Sequence, residues 1–130
     1  MIAFRLSSTS GLSPYLQVAH QVRQALRLGT LKPGDQLPTV KDVVGTLAIN
    51  PNTVLKAYRL LEHQGLVQGR PGQGTFVIRS LESPHASSQA AFYRTLQRLV
   101  RDALNAGVDV ESLTAMFDAS LHAAQEETVA

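Results

Sequence analysis

The sequence predicts a mainly α fold with a small β wing, a winged helix-turn-helix followed by a two-helix dimerisation module. Three observations predict it. Between Leu37 and Val77 a short amphipathic helix is followed, after a tight connection, by a second helix that Asn-Pro-Asn-Thr opens. Two apolar stretches hinged on Pro-Gly-Gln-Gly come next, with the glycines a hairpin needs. Beyond a Ser-, Pro-, His- and Ala-containing stretch, two further segments carry helical apolar stripes. The expected organisation is a winged domain over residues 1–80, a linker over 81–88 and a helical module over 89–130.

The elements follow in order. IAFRL alternates apolar and polar residues and is expected to add a short strand, with Ser7–Gly11 as a flexible connection. The first helix starts at Ser13 as N-cap with Pro14 at its first position, where a missing N–H is harmless, and Tyr15, Val18, Ala19, Val22 and Leu26 recur on one face. Gly29 stops it, Pro33-Gly34 turns the chain, and Pro38 forces the residue before it to be extended. Thr39 caps the second helix, with Asp42 three residues on as a weaker capping box, and Val43, Val44 and Leu47 form its buried side. Asn50 caps the third, with Pro51 at its first position. Val54, Ala57, Tyr58 and Leu61 share the packed face of that helix, whereas Asn52, Leu55, Lys56, Arg59 and His63 look outward.

Gly65 ends the third helix, and LVQGR and TFVIR supply the two strands of the wing. In the helical module Phe92, Leu96, Leu99, Ala103 and Ala106 step as a helix seam, and Gly107 closes the helix. Asp109 caps a last helix whose Leu113, Met116, Phe117, Leu121 and Ala124 form another apolar face, before EETVA is expected to fray. Two helices of this size cannot enclose a core alone, so Phe92, Leu96, Leu99, Ala103, Leu113, Met116, Phe117 and Leu121 are expected to pack on a second copy of the chain. The alternative is a monomer in which the pair folds back on the winged domain.

Composition bounds the function. The 130 residues are 44% hydrophobic and 17% charged, with no cysteine, which excludes disulfides and thiolate metal sites. No long apolar run is suited to a membrane and no export signal is visible, so a cytoplasmic location is expected, at the nucleoid when DNA is bound. Charge is unevenly spread: residues 1–80 hold nine Lys and Arg against three acids, and residues 81–130 three against seven. Positive potential is thus concentrated on the segment whose element order lays a helix into the major groove of duplex DNA. A merely solvated surface is the alternative explanation.

Candidate contacts follow from this geometry. Asn50, Asn52 and Thr53 place amides and a hydroxyl beside the unpaired N–H groups at the start of the third helix, suited to phosphate oxygens and nearby base edges. Asn bonds adenine bidentately, and Lys56, one turn beyond Asn52, reaches guanine or a phosphate, although capping alone also accounts for Asn50. Thr39 and Lys41 open the second helix near the backbone of one strand, and Arg70 at the foot of the wing can follow the minor groove. Gly72 serves the turn and lets backbone N–H groups approach phosphate. Catalysis and metal binding find no support, because His20, His63, His85 and His122 are scattered, and PGQGT lacks the spacing and the Lys-Ser/Thr of a P-loop. No cofactor is expected.

Pro14–Val77 resembles the winged domain of the GntR family of bacterial transcription regulators. The resemblance rests on Tyr15, GTLKPGDQLP, TVKDVV, INPNTVLKAY, LEHQGLV and GRPGQGTFV, covering about half the chain. Asn50-Pro51-Asn52-Thr53-Val54 with Ala57-Tyr58 is similar in particular to the YtrA subfamily, with its short two-helix C-terminal domain. The resemblance implies a homodimeric repressor on a palindromic operator, with a transporter operon and its own gene as the kind of target, and with contacts at Thr39, Lys41, Asn50, Asn52, Thr53 and the wing around Arg70 and Gly72. It names no small-molecule effector. Lys41 stands where the family usually has Arg, Leu55 where a basic residue is common, and Val43-Val44 where Leu-Ala is usual, which bears on sequence preference. A protein-interaction adaptor that never reads DNA, and a nonspecific nucleoid protein, are the competing functions.

Overall fold

A computed structural model describes residues 2–129. The element order is α1 (Pro14–Leu28), α2 (Val40–Leu47), α3 (Pro51–His63), β1 (Val67–Arg70), β2 (Gly74–Val77), α4 (Ala86–Asn105) and α5 (Val110–Val129). The chain divides into two units, Met1–Ala86 and Ser87–Ala130.

In the first unit α1, α2 and α3 pack around Val18, Val22, Leu26, Leu37, Val54 and Leu61, all essentially without solvent contact. Each such side chain contributes about 1.5–3 kcal/mol through burial. The local signals of the sequence set the helix ends. Pro14 begins α1, although Ser13 makes no side-chain cap, and Gly29 ends it with φ 76°. There Thr30 N–H bonds Ala25 O at 3.0 Å and Gly29 N–H bonds Leu26 O at 3.4 Å, the paired closure of a Schellman end. Thr39 Oγ1 accepts from Asp42 N–H at 3.1 Å to cap α2. Ala48 turns the chain between α2 and α3 with φ 53°, the one non-glycine with positive φ among the described residues.

The wing is a two-stranded antiparallel sheet in which Val67 pairs with Val77 and Arg70 with Gly74. The stretch after the Pro33-Gly34 turn, expected only as a turn and an extended dipeptide, also lies along β2. Val77 N–H bonds Asp35 O at 2.8 Å and Leu37 N–H bonds Thr75 O at 2.9 Å. Pairing ends at Pro38, which has no N–H to give.

The strand expected at IAFRL does not form. Its alternation is nonetheless real, since Phe4 is buried and Ile2 and Leu6 pack against the core. The partners of its backbone are side chains of α1. Gln21 accepts from Arg5 N–H at 2.9 Å and donates to Arg5 O. Gln17 accepts from Ser7 N–H at 2.7 Å and donates to Ser7 O and Leu12 O, both at 2.9 Å. Four residues of helix rise about 6 Å and two extended residues span about 6.7 Å, so two carboxamides one turn apart meet alternate peptide groups and stand in for a neighbouring strand.

Two boundaries of the second unit differ from expectation. Helix α4 begins at Ala86, inside the stretch 81–88 expected as linker, directly after a turn in which His85 N–H bonds Ser83 Oγ at 3.1 Å. The end of α5 does not fray over Glu126–Val129; the segment has no Gly or Pro to break it, and it carries a Thr128 Oγ1 to Ala124 O bond of 2.9 Å and a His122–Glu126 pair of 3.1 Å. Ala130, the last residue of EETVA, lies outside the described residues. Asp109 caps α5 through Ser112 N–H at 2.9 Å, and hydrogen bonding from the Ser112 side chain, then from its backbone N–H, holds the Asp109 carboxyl below the usual carboxylate range. Among the described residues, none of the buried core side chains comes from α4 or α5.

Candidate nucleic-acid interface

Helix α3 presents one side to the core and the other to solvent. Val54, Ala57, Tyr58 and Leu61 are buried, whereas Asn52, Lys56, Arg59 and His63 are exposed. The facing is fixed at the helix start, where Asn50 Oδ1 accepts from Asn52 N–H at 2.8 Å. The Asn50 carbonyl accepts from Thr53 N–H at 2.9 Å. The Asn50 carboxamide oxygen is therefore occupied by capping, and Asn52 carries the exposed amide of the first turn. Thr53 is half-buried. Lys56 lies one turn beyond Asn52, its Nζ 4.1 Å from the centre of the Tyr15 ring.

Tyr58 locks α3 against the start of α2. Its hydroxyl donates to Pro38 O at 2.6 Å in a buried setting. Burial, with a smaller contribution from the Asp42 carboxylate, pushes its pKa far above the ordinary tyrosine value. The residue after that proline is Thr39, and Lys41, exposed, is the second residue of α2. One hydrogen bond thus ties the packed face of α3 to the residues that open α2.

The wing approaches the same end of α2. A shallow cleft of about 610 Å³ is lined by Thr39, by Glu62 of α3 and by the wing from Gly69 to Thr75, bringing together the predicted Thr39, Arg70 and Gly72. Arg70 is exposed, with its guanidinium carbon 4.5 Å from the centre of the Phe76 ring. Gly72 takes φ 73° at the exposed tip. Three residues of this surface escaped sequence reasoning. Glu62 accepts from Gly69 N–H at 2.9 Å and so fastens the foot of the wing to α3. Gln36 donates to Gln73 O at 3.1 Å across the wing loop. Phe76 lies under Arg70. Each joins segments distant in sequence; only the aromatic side chain of Phe76, two residues along the strand from Gly74, offered a local signal.

In the second unit the predicted dimer residues are largely uncovered. Phe92 is 74% exposed, Leu99 61% and Phe117 50%, with Leu96, Met116 and Leu121 also exposed and Ala103 and Leu113 half-buried. Leu96, Leu99, Ala103, Leu113, Met116 and Phe117 line an apolar groove of about 530 Å³ formed by α4 and α5; Phe92 and Leu121 stand outside its lining. Among the described residues no group of His, Asp and Glu is placed to hold a metal ion. No described helix is long and apolar enough to cross a membrane.

Comparison with known proteins agrees with this geometry. Residues 14–77 match the family described as bacterial regulatory proteins, gntR family. The HTH-type transcriptional repressor YtrA of Bacillus subtilis is 34% identical over 100 residues, which cover 76% of this chain and 77% of that protein. Among solved structures, YtrA from Sulfolobus acidocaldarius, a GntR-family transcription factor, is similar with a TM-score of 0.53 at 30% identity, over 72% of this chain and 97% of that one. The DNA-binding domain of AraR in complex with operator ORR3 is similar with a TM-score of 0.50 at 29% identity, over 58% of this chain and 92% of that one. These relatives are transcription regulators, not enzymes.

Proposed function

This chain belongs to the GntR family and is a transcriptional regulator with a winged DNA-binding domain, and on that premise we propose that it is a homodimeric repressor of a palindromic operator. The observation that carries the reading is the open outer face of α3, where Asn52 and Lys56 stand exposed one turn apart on a helix whose other face is locked into the core. In this reading Asn52 and Lys56 read base edges in the major groove, and Thr39, Lys41, Asn50 and Thr53 hold the phosphate backbone of one strand. Arg70 and the glycine-turned tip at Gly72 follow the adjacent groove.

The helical module supplies the second copy. A pair of 20-residue helices with no buried side chain among its described residues lacks the apolar burial that holds the first unit together. The groove around Leu99, Met116 and Phe117 gains that burial when a second module covers it, and a two-fold dimer would place two α3 helices on two half-sites. A transporter operon and the protein's own gene are the proposed targets, in the cytoplasm. No effector is assigned.

The test is selection of bound fragments from the host genome, followed by fluorescence anisotropy on the fragment recovered. Affinity is expected to fall steeply with salt, and Asn52→Ala to weaken binding by about 1–3 kcal/mol. Equal affinity for unrelated duplexes at matched salt would make the protein a nonspecific nucleoid component. No salt dependence and no effect of Asn52→Ala would favour an adaptor. Light scattering addresses the dimer: the full chain is expected at twice its monomer mass and the fragment ending at Ala86 at its monomer mass. A dimeric fragment would refute the interface.

A further inference from the structure

Two of the cations that face outward on the reading surface, Lys56 and Arg70, rest on aromatic rings. Lys56 Nζ is 4.1 Å from the Tyr15 ring centre and Arg70 Cζ is 4.5 Å from that of Phe76. These distances are within the range at which a ring face attracts a cation. The two rings are half-buried while the two cations are exposed. Tyr15 packs against the hydrophobic core from the first turn of α1, and Phe76 is held in β2 by its pairing with Gln68 and Gln36. Each ring is therefore a fixed support and each cation a long side chain laid on it.

The choice of partner matters electrically. Among the described residues neither Lys56 nor Arg70 has a carboxylate within ion-pairing distance. The one carboxylate lining the cleft, Glu62, accepts from Gly69 N–H instead of pairing with Arg70. A carboxylate would orient a cation but cancel its field; a ring orients it and leaves the charge whole. In the wing the sequence also clears the space. Arg70 faces Gly74 across the strands, and with no side chain there it lies diagonally over Phe76, on the same face of β2.

We propose that Tyr15 and Phe76 are positioning residues for DNA binding, each holding one cation, Lys56 or Arg70, extended and outside any ion pair before the duplex arrives. The inference rests on the DNA-reading function proposed above. It assigns the gain to pre-organisation, since a lysine or arginine already confined over a ring loses less freedom on meeting phosphate or a base.

The experiment is a double-mutant cycle on the full chain, read by fluorescence anisotropy with the genomic fragment recovered by selection. Tyr15→Leu is expected to weaken binding about 3- to 10-fold, and Tyr15→Phe, which keeps the ring, to restore it. Lys56→Ala should cost less in the Tyr15→Leu background than alone, and Arg70→Ala less in a Phe76→Leu background than alone. Additive losses in both cycles would overturn the inference while leaving DNA binding intact. A wild-type chain that binds no duplex would remove the functional reading and the inference together. A readout without DNA guards against simple unfolding: the Lys56 ε-methylene proton resonances of the free protein should be shifted upfield by the ring and return to ordinary values in Tyr15→Leu. Ordinary values in the wild type would also overturn it.

Discussion

Replacing Tyr58 with Phe removes one oxygen and tests how α2 is held to α3. The hydroxyl donates to the Pro38 carbonyl at 2.6 Å, and both residues are buried, so the variant leaves that carbonyl unpaired in an apolar site. A net hydrogen bond is worth about 1 kcal/mol, and a stranded buried acceptor costs about 1–3 kcal/mol, so a loss of about 1–2 kcal/mol is expected. For a domain of this size the melting temperature should fall by about 5–10 °C. Tyr58→Phe should also erase a pH dependence. Burial favours the neutral phenol in the folded state and so raises its pKa above the value near 10 of an exposed tyrosine. Below that value the stability is fully present; above it the unfolded chain ionises first and binds fewer protons, so stability falls as pH rises toward the folded value. Calorimetry of both proteins at neutral pH and urea titrations between about pH 9 and 11 measure the two effects. An unchanged melting temperature, or an alkaline loss that survives the substitution, would refute the reasoning.

Asn50→Ala should lower stability by about 0.5–2 kcal/mol through the lost cap, whereas Asn52→Ala should leave the melting temperature unchanged and act on DNA affinity alone; calorimetry beside anisotropy separates them. Gln17→Leu deprives Ser7 and Leu12 of three hydrogen bonds. The expected cost is about 1–3 kcal/mol, with lost hydrogen-exchange protection at the Ser7 amide, and unaltered exchange there would contradict the clasp. Gly74→Ala forces an alanine to φ 125° and sets its Cβ onto the Gln36 carboxamide nitrogen. The strain is about 1–3 kcal/mol, visible as a lower urea midpoint together with weaker operator binding.

What could be read from the sequence was the chemistry that acts over three or four residues. Thr39 with Asp42, Asn50 with Pro51, and the glycines at 29, 65 and 107 mark helix ends because a cap or a left-handed turn is decided locally, and the structure has its helix ends there. The outward face of α3 was legible for the same reason, as a matter of helical period. What was not legible joins distant segments. Tyr58 was recognisable as core, but its bond to Pro38 spans 20 residues. The alternation of IAFRL correctly marked an inward face, yet nothing local showed that glutamine side chains would replace a strand. Asp35 and Leu37 pair with the wing although Pro33, Gly34 and Pro38 make the stretch look like loop alone. The cations at 56 and 70 were visible as charges, and their rings were not visible as supports.

The joint between α2 and α3 rests on an alanine held at φ 53°. For any residue with a β-carbon that conformation costs about 1–2 kcal/mol, which glycine would avoid. A methyl group at this corner narrows the range of angles between the two helices, so they act as one stiff piece instead of a jointed one. Any mismatch with a binding site then falls to the bending of the nucleic acid or to movement of the hairpin, and Ala48→Gly is the substitution by which that rigidity could be slackened.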